Sequence, residues 1–243
     1  MKKIILFDLD GTLAESGNKI DDEMLLILFE IKKKGYELGI VGGGKIDKIL
    51  LQIRDFIFDH IFSECGSVYF KWDHHKYKEI YKKNLKEHDT YPEINTIIKE
   101  SLNFISHVDY TLSGHFIDRR DGLIYISLIG MQATQEERHY YMELDKKYHY
   151  RKNLLKRLIH KAEELNVSDK LDIREGGSVG IGLYPKEWNK TQVLDVLNGY
   201  EEISYFGDKY EEGGNDFELI THPNVKGFPV NSPEDTKNFL RNL

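Results

Sequence analysis

The sequence predicts an α/β fold in which a doubly wound parallel-sheet core is interrupted by an inserted α+β cap domain. Three observations carry this expectation. The chain opens on an apolar run, Ile4 to Phe7, with no period-2 alternation, as expected of a strand buried on both faces of a parallel sheet. An alternation of strand and helix patterns follows and returns after Lys190. Between the two stretches the pattern changes to a hairpin and charged amphipathic helices.

Each element follows from local chemistry. After a turn at Asp10-Gly11-Thr12, the segment from Asp21 to Lys34 carries Met24, Leu25, Leu28 and Ile31 at helical spacing, with Asp21 as N-cap and Gly35 as stop. Tyr36 to Val41 reads as a strand that glycines 42 to 44 end, Ile46 to Arg54 as a helix, and Ile61 to Ser63 as a short strand. Glu93 to Ile105 reads as a helix, followed by a hairpin of His115 to Arg120 and Leu123 to Ile129 around Asp121-Gly122. Helices over Gln135 to Lys147 and Arg151 to Leu165 and strands over Leu171 to Glu175 and Ser178 to Tyr184 complete the insertion. A helix at Lys190 to Leu197, a strand at Ile203 to Phe206 and a helix at Pro233 to Leu240 restore the opening pattern. The core is therefore expected at 1–81 and 187–243, and the cap at 82–186.

Composition narrows the function classes. With 243 residues the chain can bury a real core, and Cys65, its single cysteine, allows neither an intramolecular disulfide nor a multi-cysteine zinc site. The net charge of −7 opposes general binding to nucleic acid or an anionic membrane. The apolar run before Asp8 is too short for a signal or membrane-spanning segment. A cytoplasmic protein with a small-molecule substrate is expected.

The strongest chemical signal is Phe7-Asp8-Leu9-Asp10-Gly11-Thr12, two carboxylates at the C-terminal end of the first strand, where open α/β sheets place their ligands. Asp208, after the apolar strand ending Tyr205-Phe206-Gly207, adds a third acid at the same edge. Three hard oxygens suit Mg²⁺. In such a site Asp8 can attack a phosphoryl group, Asp10 can handle the proton, and the metal and a lysine can neutralise the transferring oxygens.

FDLDGT, a later Lys190, and the pair Gly207-Asp208 and Gly213-Gly214-Asn215-Asp216 together resemble the haloacid dehalogenase superfamily of phosphotransferases. VGGGK (41–45), RRDGLIYISLIG (119–130), QEERHYYMELDKK (135–147), YPKEWNK (184–190), FGDKYEEGGNDFE (206–218) and NSPEDT (231–236) sharpen the resemblance to the eukaryotic-type phosphomannomutases over nearly the whole chain. That resemblance implies a Rossmann-like core with an α+β cap, Mg²⁺, an aspartyl-phosphate intermediate and a homodimer formed through the caps. Carried over by position, Asp8 is the nucleophile, Asp10 the acid/base and Lys190 the phosphate-binding lysine. Asp208 is a metal ligand beside Asn215 and Asp216. The expected metal set is Asp8, Asp208 and the main-chain carbonyl of Asp10, and the expected substrate set is Gly43, Gly44, Arg120, Lys190 and Asn215.

The departures from the family pattern bear on the reaction. Gly17, Ser113, Met131, Gly180 and Gly182 stand where relatives carry arginines, a serine and an aspartate that grip the sugar phosphate, and Arg120 remains. Each arginine–phosphate contact is worth roughly 1.5 to 3 kcal/mol, so their loss weakens the distal phosphate site. Arg119 alternates to the opposite face from Arg120, which leaves His115 as the candidate for relocated charge. Gly44 replaces a serine of the family loop, and His222 replaces an aspartate, so a second cation site is not expected.

Other patterns have plainer readings. Gly39 to Lys45 fits a Walker spacing, but Ile46 stands where a Mg²⁺-binding Ser or Thr is needed. His74-His75 reads as a solvated turn, and Lys146 to Arg157 as a solvated helix face or, through its Leu154, Leu155 and Leu158 stripe, part of a cap interface. Three functions remain: a mutase interconverting mannose 6-phosphate and mannose 1-phosphate, a phosphatase using the same machinery, and a non-catalytic dimeric scaffold. The mutase is the first expectation.

Overall fold

The computed structural model describes residues 2–243 and divides into two compact units, Met1–Lys83 with Trp188–Leu243, and Asn84–Glu187. The chain begins with β1 (Lys3–Phe7), α1 (Asp22–Lys33), β2 (Glu37–Val41), α2 (Ile46–Ile53), β3 (His60–Ser63), β4 (Val68–Trp72) and β5 (Tyr77–Lys82). Asp21 caps α1, its Oδ1 accepting the Met24 N–H at 2.8 Å, and Met24, Leu28 and Ile31 are the buried face. The second unit holds α3 (Tyr91–Ile105), β6 (Ile117–Arg119), β7 (Ile124–Ser127), α4 (Gln135–Tyr148), α5 (Tyr150–Glu164), β8 (Leu171–Gly176) and β9 (Gly180–Pro185). The chain then returns to the first unit with β10 (Glu202–Gly207), α6 (Phe217–Ile220), β11 (Lys226–Pro229) and α7 (Pro233–Arg241).

The first unit is built on a seven-stranded sheet in the order β11-β10-β1-β2-β3-β4-β5. Strands β11 to β3 are parallel, and β4 and β5 extend the sheet as an antiparallel hairpin. Ile5, Phe7, Leu38, Ile40, Ile61 and Phe206 lie in the hydrophobic cluster that includes Met24 and Leu28 of α1. Ile4, Leu6, Val41, Phe62 and Tyr205 lie in a second cluster with Val193 and Leu197. Burial on both faces is what the unalternated run of β1 implies.

The structure corrects the sequence reading in three places. The β4–β5 hairpin carries no apolar alternation strong enough to announce it, because β5 is an edge strand with Lys78, Glu79 and Ile80 exposed. Its turn contains His74 and His75, with Asp73 Oδ1 accepting the N–H groups of His75 at 3.0 Å and Lys76 at 2.9 Å. The segment Lys190–Val196 is 3₁₀ rather than α-helical. The short α6 and β11 between Asp216 and Pro233 were not expected.

The second unit has a four-stranded antiparallel sheet, β6-β7-β9-β8, with α5 packed on β8 and β9. A capping box starts α4: Thr134 Oγ1 accepts the Glu137 N–H at 3.2 Å and Glu137 accepts the Thr134 N–H at 2.6 Å. Leu154 and Leu158 are fully buried inside a single chain. Two of the three leucines of the apolar stripe expected at an interface are therefore covered by the chain's own packing, and Leu155 is half-buried.

Candidate active site

The sheet register fixes the position of Asp8. Its N–H donates to the Phe206 carbonyl at 2.9 Å, which extends the β1–β10 ladder one residue beyond the strand, and the side chain emerges at the C-terminal edge beside residues following β10. The loop after β10 folds back, Asp216 N–H donating to the Lys209 carbonyl at 3.2 Å and Lys209 N–H to Asp216 Oδ2 at 2.9 Å. This places oxygens of Asp8, Asp208 and Asp216 within 4.8 Å of one another. Gly11 lies against them with φ +89°, and a Cβ there would sit 2.6 Å from Asp208 Oδ2. Only glycine permits both that backbone conformation and that approach.

Lys190 enters this group from the first turn of the 3₁₀ segment. Its Nζ donates to Asp8 Oδ1 at 2.5 Å, Asp216 Oδ1 at 2.6 Å and Tyr205 Oη at 3.1 Å, and the Tyr205 hydroxyl in turn donates to Asp216. Lys190 is 1% exposed and Asp216 fully buried. Burial disfavours the Lys190 ammonium, but Asp216 and Asp8 outweigh it and hold the pKa well above the ordinary value. Burial pushes Asp8 up to about 7, aided by Asp216 and Asp208 and opposed by Lys190. A single ammonium therefore shares its charge between two buried carboxylates.

Asp10 faces other partners. Its Oδ2 accepts from Lys48 Nζ at 2.6 Å, and its Oδ1 accepts from Gln52 Nε2 and the Gly17 N–H, each at 2.8 Å. Burial raises its pKa, but Lys48 and these donors win and the carboxyl is held below its usual range. The expected metal ligand at Asp10 was its main-chain carbonyl; its carboxylate is not in the three-acid group. Asp216 takes the place of the third carboxylate in that group.

Gly43 and Gly44 form the turn between β2 and α2, tied to the segment after β3 by the Glu64 N–H to Gly44 carbonyl bond at 3.1 Å and the Cys65 N–H to Gly42 carbonyl bond at 3.0 Å. Gln192 braces that segment, its Nε2 donating to the Cys65 carbonyl at 2.9 Å. Asn215 Oδ1 is buried with no hydrogen-bond partner. Arg120 belongs to the second unit, where its Nε donates to Asp118 Oδ2 at 2.8 Å. His115 is exposed and precedes β6.

Three carboxylates around one point, with an orphaned amide oxygen on the same loop as two of them, fit a hard divalent cation that takes oxygen ligands. Sequence reasoning missed Tyr205, Lys48 and Gln52. Lys48 and Gln52 are four apart on α2, a spacing that puts both on one face, but nothing local shows that this face meets Asp10.

The sequence model of the eukaryotic phosphomannomutase family matches residues 24–243. The chain is 34% identical to a phosphomannomutase of Arabidopsis thaliana over 237 residues, covering 96% of this chain and 93% of the relative. It is 36% identical to phosphomannomutase 1 of Dictyostelium discoideum over 247 residues, covering 99% and 96%. Among solved structures, an IMP-bound, N-terminally truncated IMP-nucleotidase of Plasmodium falciparum aligns with a TM-score of 0.72 at 18% identity, covering 99% of this chain and 67% of that one. A haloacid dehalogenase-like hydrolase of Bacteroides thetaiotaomicron aligns with a TM-score of 0.58 at 17% identity, covering 100% and 99%. These two likenesses bear on the fold alone.

Proposed function

Because the chain belongs to the eukaryotic phosphomannomutase family, we propose that it interconverts mannose 6-phosphate and mannose 1-phosphate by phosphoryl transfer through Asp8. The observation that carries the reading is the Asp8–Lys190–Asp216 arrangement beside Asp208, at the sheet edge where a phosphate ester can meet a carboxylate and an ammonium together.

With Asp8 phosphorylated from the hexose bisphosphate, the free hydroxyl of the sugar monophosphate attacks the phosphorus, its proton goes to Asp10 and the bond from phosphorus to Asp8 breaks, giving a sugar bisphosphate. After the bisphosphate turns round, Asp8 Oδ attacks the other phosphorus, the bond to the sugar oxygen breaks, and that oxygen takes the proton back from Asp10. The depressed pKa of Asp10 suits the accepting role. Lys190 opposes the effect of burial on Asp8, favouring its ionised form, and neutralises the incoming oxygens. Gly43, Gly44 and Asn215 are assigned to the transferring phosphate. Asp8, Asp208 and the Asp10 main-chain carbonyl, with Asp216 in the same three-carboxylate group, would hold Mg²⁺, which would supply Lewis-acid stabilisation of the phosphoryl oxygens.

A homodimer through the second unit and a cytoplasmic location complete the proposal. No helix among the described residues is long and apolar enough to cross a membrane. Sedimentation at micromolar concentration tests the dimer, and a strict monomer refutes it.

The function is tested by incubating the Mg²⁺-loaded protein with mannose 1-phosphate and a hexose 1,6-bisphosphate while following mannose 6-phosphate and inorganic phosphate together. Mannose 6-phosphate formation that disappears with chelator and returns with Mg²⁺ is expected. Phosphate release without isomerisation would favour a phosphatase, the reading supported by Gly17, Ser113, Met131, Gly180 and Gly182 at the positions of the family's polar contacts.

A further inference from the structure

Tyr205 carries a hydroxyl into an apolar setting. It is an interior residue of β10, paired with Leu6 of β1, and it lies in the cluster that holds Ile4, Leu6, Phe62, Val193 and Leu197. It is fully buried. A phenylalanine would fill that space without a polar atom, whereas a phenol taken out of water must recover its hydrogen bonds inside the protein. Tyr205 recovers them at the charged group beside Asp8. Its hydroxyl donates to Asp216 Oδ1 and accepts from Lys190 Nζ at 3.1 Å.

An ammonium has three N–H donors and no acceptor. Those of Lys190 go to Asp8 Oδ1, Asp216 Oδ1 and Tyr205 Oη, so all are engaged. Asp216 and Tyr205 are fully buried, and Asp8 is the partner that keeps some exposure, at 7%. Lys190 Nζ, Tyr205 Oη and Asp216 Oδ1 contact one another in a closed triangle, and Asp216 is anchored in turn through Oδ2 by the Lys209 N–H at 2.9 Å. The flexible four-carbon stem of a lysine does not by itself aim its head. One anchor behind Nζ would leave the head free to turn about that bond. Two anchors leave the remaining donor a single direction, toward Asp8.

We propose that Tyr205 is a positioning residue whose hydroxyl, acting through Lys190, aims one ammonium donor at the Asp8 carboxylate and so at the phosphoryl group that Asp8 exchanges. The aim at Asp8 rests on the hydrogen bonds alone, and its use in phosphoryl transfer rests on the phosphomannomutase reading. Tyr205 supplies position rather than charge, since Lys190 keeps both carboxylates without it. Its loss is therefore felt in the transition state, where the phosphoryl oxygens call on the ammonium, more than in binding of the sugar.

The test compares the full-length parent with Tyr205→Phe, which removes one oxygen, and with Leu197→Ala, which opens the same apolar cluster without touching a hydrogen bond of the triangle. NMR of the lysine ammonium groups reads Lys190 directly, its signal being identified by its absence from Lys190→Arg. A signal protected from exchange with water is expected in the parent and in Leu197→Ala, and one lost to exchange in Tyr205→Phe. With mannose 1-phosphate and a hexose 1,6-bisphosphate, kcat of Tyr205→Phe should fall about threefold to tenfold, the effect of one hydrogen bond, with KM for mannose 1-phosphate unchanged. Leu197→Ala should lower the thermal midpoint and keep kcat. An unprotected Lys190 signal in the parent, an equally protected one in Tyr205→Phe, or a kcat loss that Leu197→Ala reproduces at the same loss of thermal midpoint overturns the role of Tyr205. Protection that Tyr205→Phe removes, in a parent that forms no mannose 6-phosphate, upholds the aim at Asp8 and overturns the mutase reading.

Discussion

Lys48, on α2, holds the Asp10 carboxylate through a 2.6 Å contact that spans 38 residues of sequence. The pair is partly exposed, with 49% of the Lys48 and 35% of the Asp10 side chain accessible, so it adds little to stability, about 0 to 1 kcal/mol. Its effect falls on Asp10's proton instead.

Replacing Lys48 by Met is expected to raise the pKa of Asp10, because the attraction that offsets burial is gone while burial remains. Activity that needs ionised Asp10 disappears as pH falls through that pKa. The acid limb of the pH–kcat/KM profile should therefore move to higher pH in Lys48→Met and stay in place in Lys48→Arg. An unmoved limb in Lys48→Met refutes the coupling.

Lys190→Met should be among the most damaging single substitutions in the first unit. It leaves Asp8 and Asp216 buried side by side without their shared ammonium. Breaking such a buried arrangement costs about 3 to 5 kcal/mol. Urea unfolding checks this, and adding Asp216→Asn to Lys190→Met should recover part of the loss because one uncompensated charge is removed.

Gly11→Ala combines a left-handed backbone with a collision against Asp208. A destabilisation of about 1 to 3 kcal/mol is expected from the strain alone. Mg²⁺ titration should also show weaker binding, since the added methyl displaces an acid of the three-carboxylate group. Unchanged stability and metal affinity would remove Gly11 from the account of the site.

Glu37 governs a pH effect at the opposite edge of the sheet. It accepts from Tyr200, from His60 Nε2 at 3.0 Å and from Lys2 at 3.2 Å, while His60 Nδ1 lies 2.7 Å from the Tyr69 hydroxyl. Burial raises its pKa, but these donors outweigh it and pull it from 4.5 down to about 2. A depressed folded-state pKa contributes stability that is complete above the unfolded value and is lost as pH falls toward the folded one. With allowance for solvent screening, about 1 to 2 kcal/mol should be lost between about pH 5 and pH 2. Glu37→Gln should be less stable than the parent at pH 7, and the difference should shrink over that window.

The central strand and the acids after it were legible because a buried parallel strand and a ligand-binding edge leave local marks, an unalternated apolar run ending in Asp8-Leu9-Asp10. The hold of Lys48 and Gln52 on Asp10 left none, since it depends on how α2 docks against a loop 38 and 42 residues away. The β4–β5 hairpin was missed for a different reason. Its edge strand faces solvent, so the pairing is made by backbone groups that any sequence possesses. At Lys190–Val196 the apolar spacing suited a helix but could not distinguish a three-residue turn from a four-residue one.

The order of the strands also sets a schedule for synthesis. β1 pairs on one side with β2, made soon afterwards, and on the other with β10, in which Glu202 is the partner of Lys3. At roughly 5 to 20 residues per second, a nascent chain holds β1 with an open edge for roughly 10 to 40 s before that partner exists. The unit Asn84–Glu187, whose strands pair only with one another, is completed in the meantime. Such non-local closure is the slow step expected of this topology. In the cell, the interval in which one flank of an apolar strand waits for its neighbour is when a chaperone would have most to do.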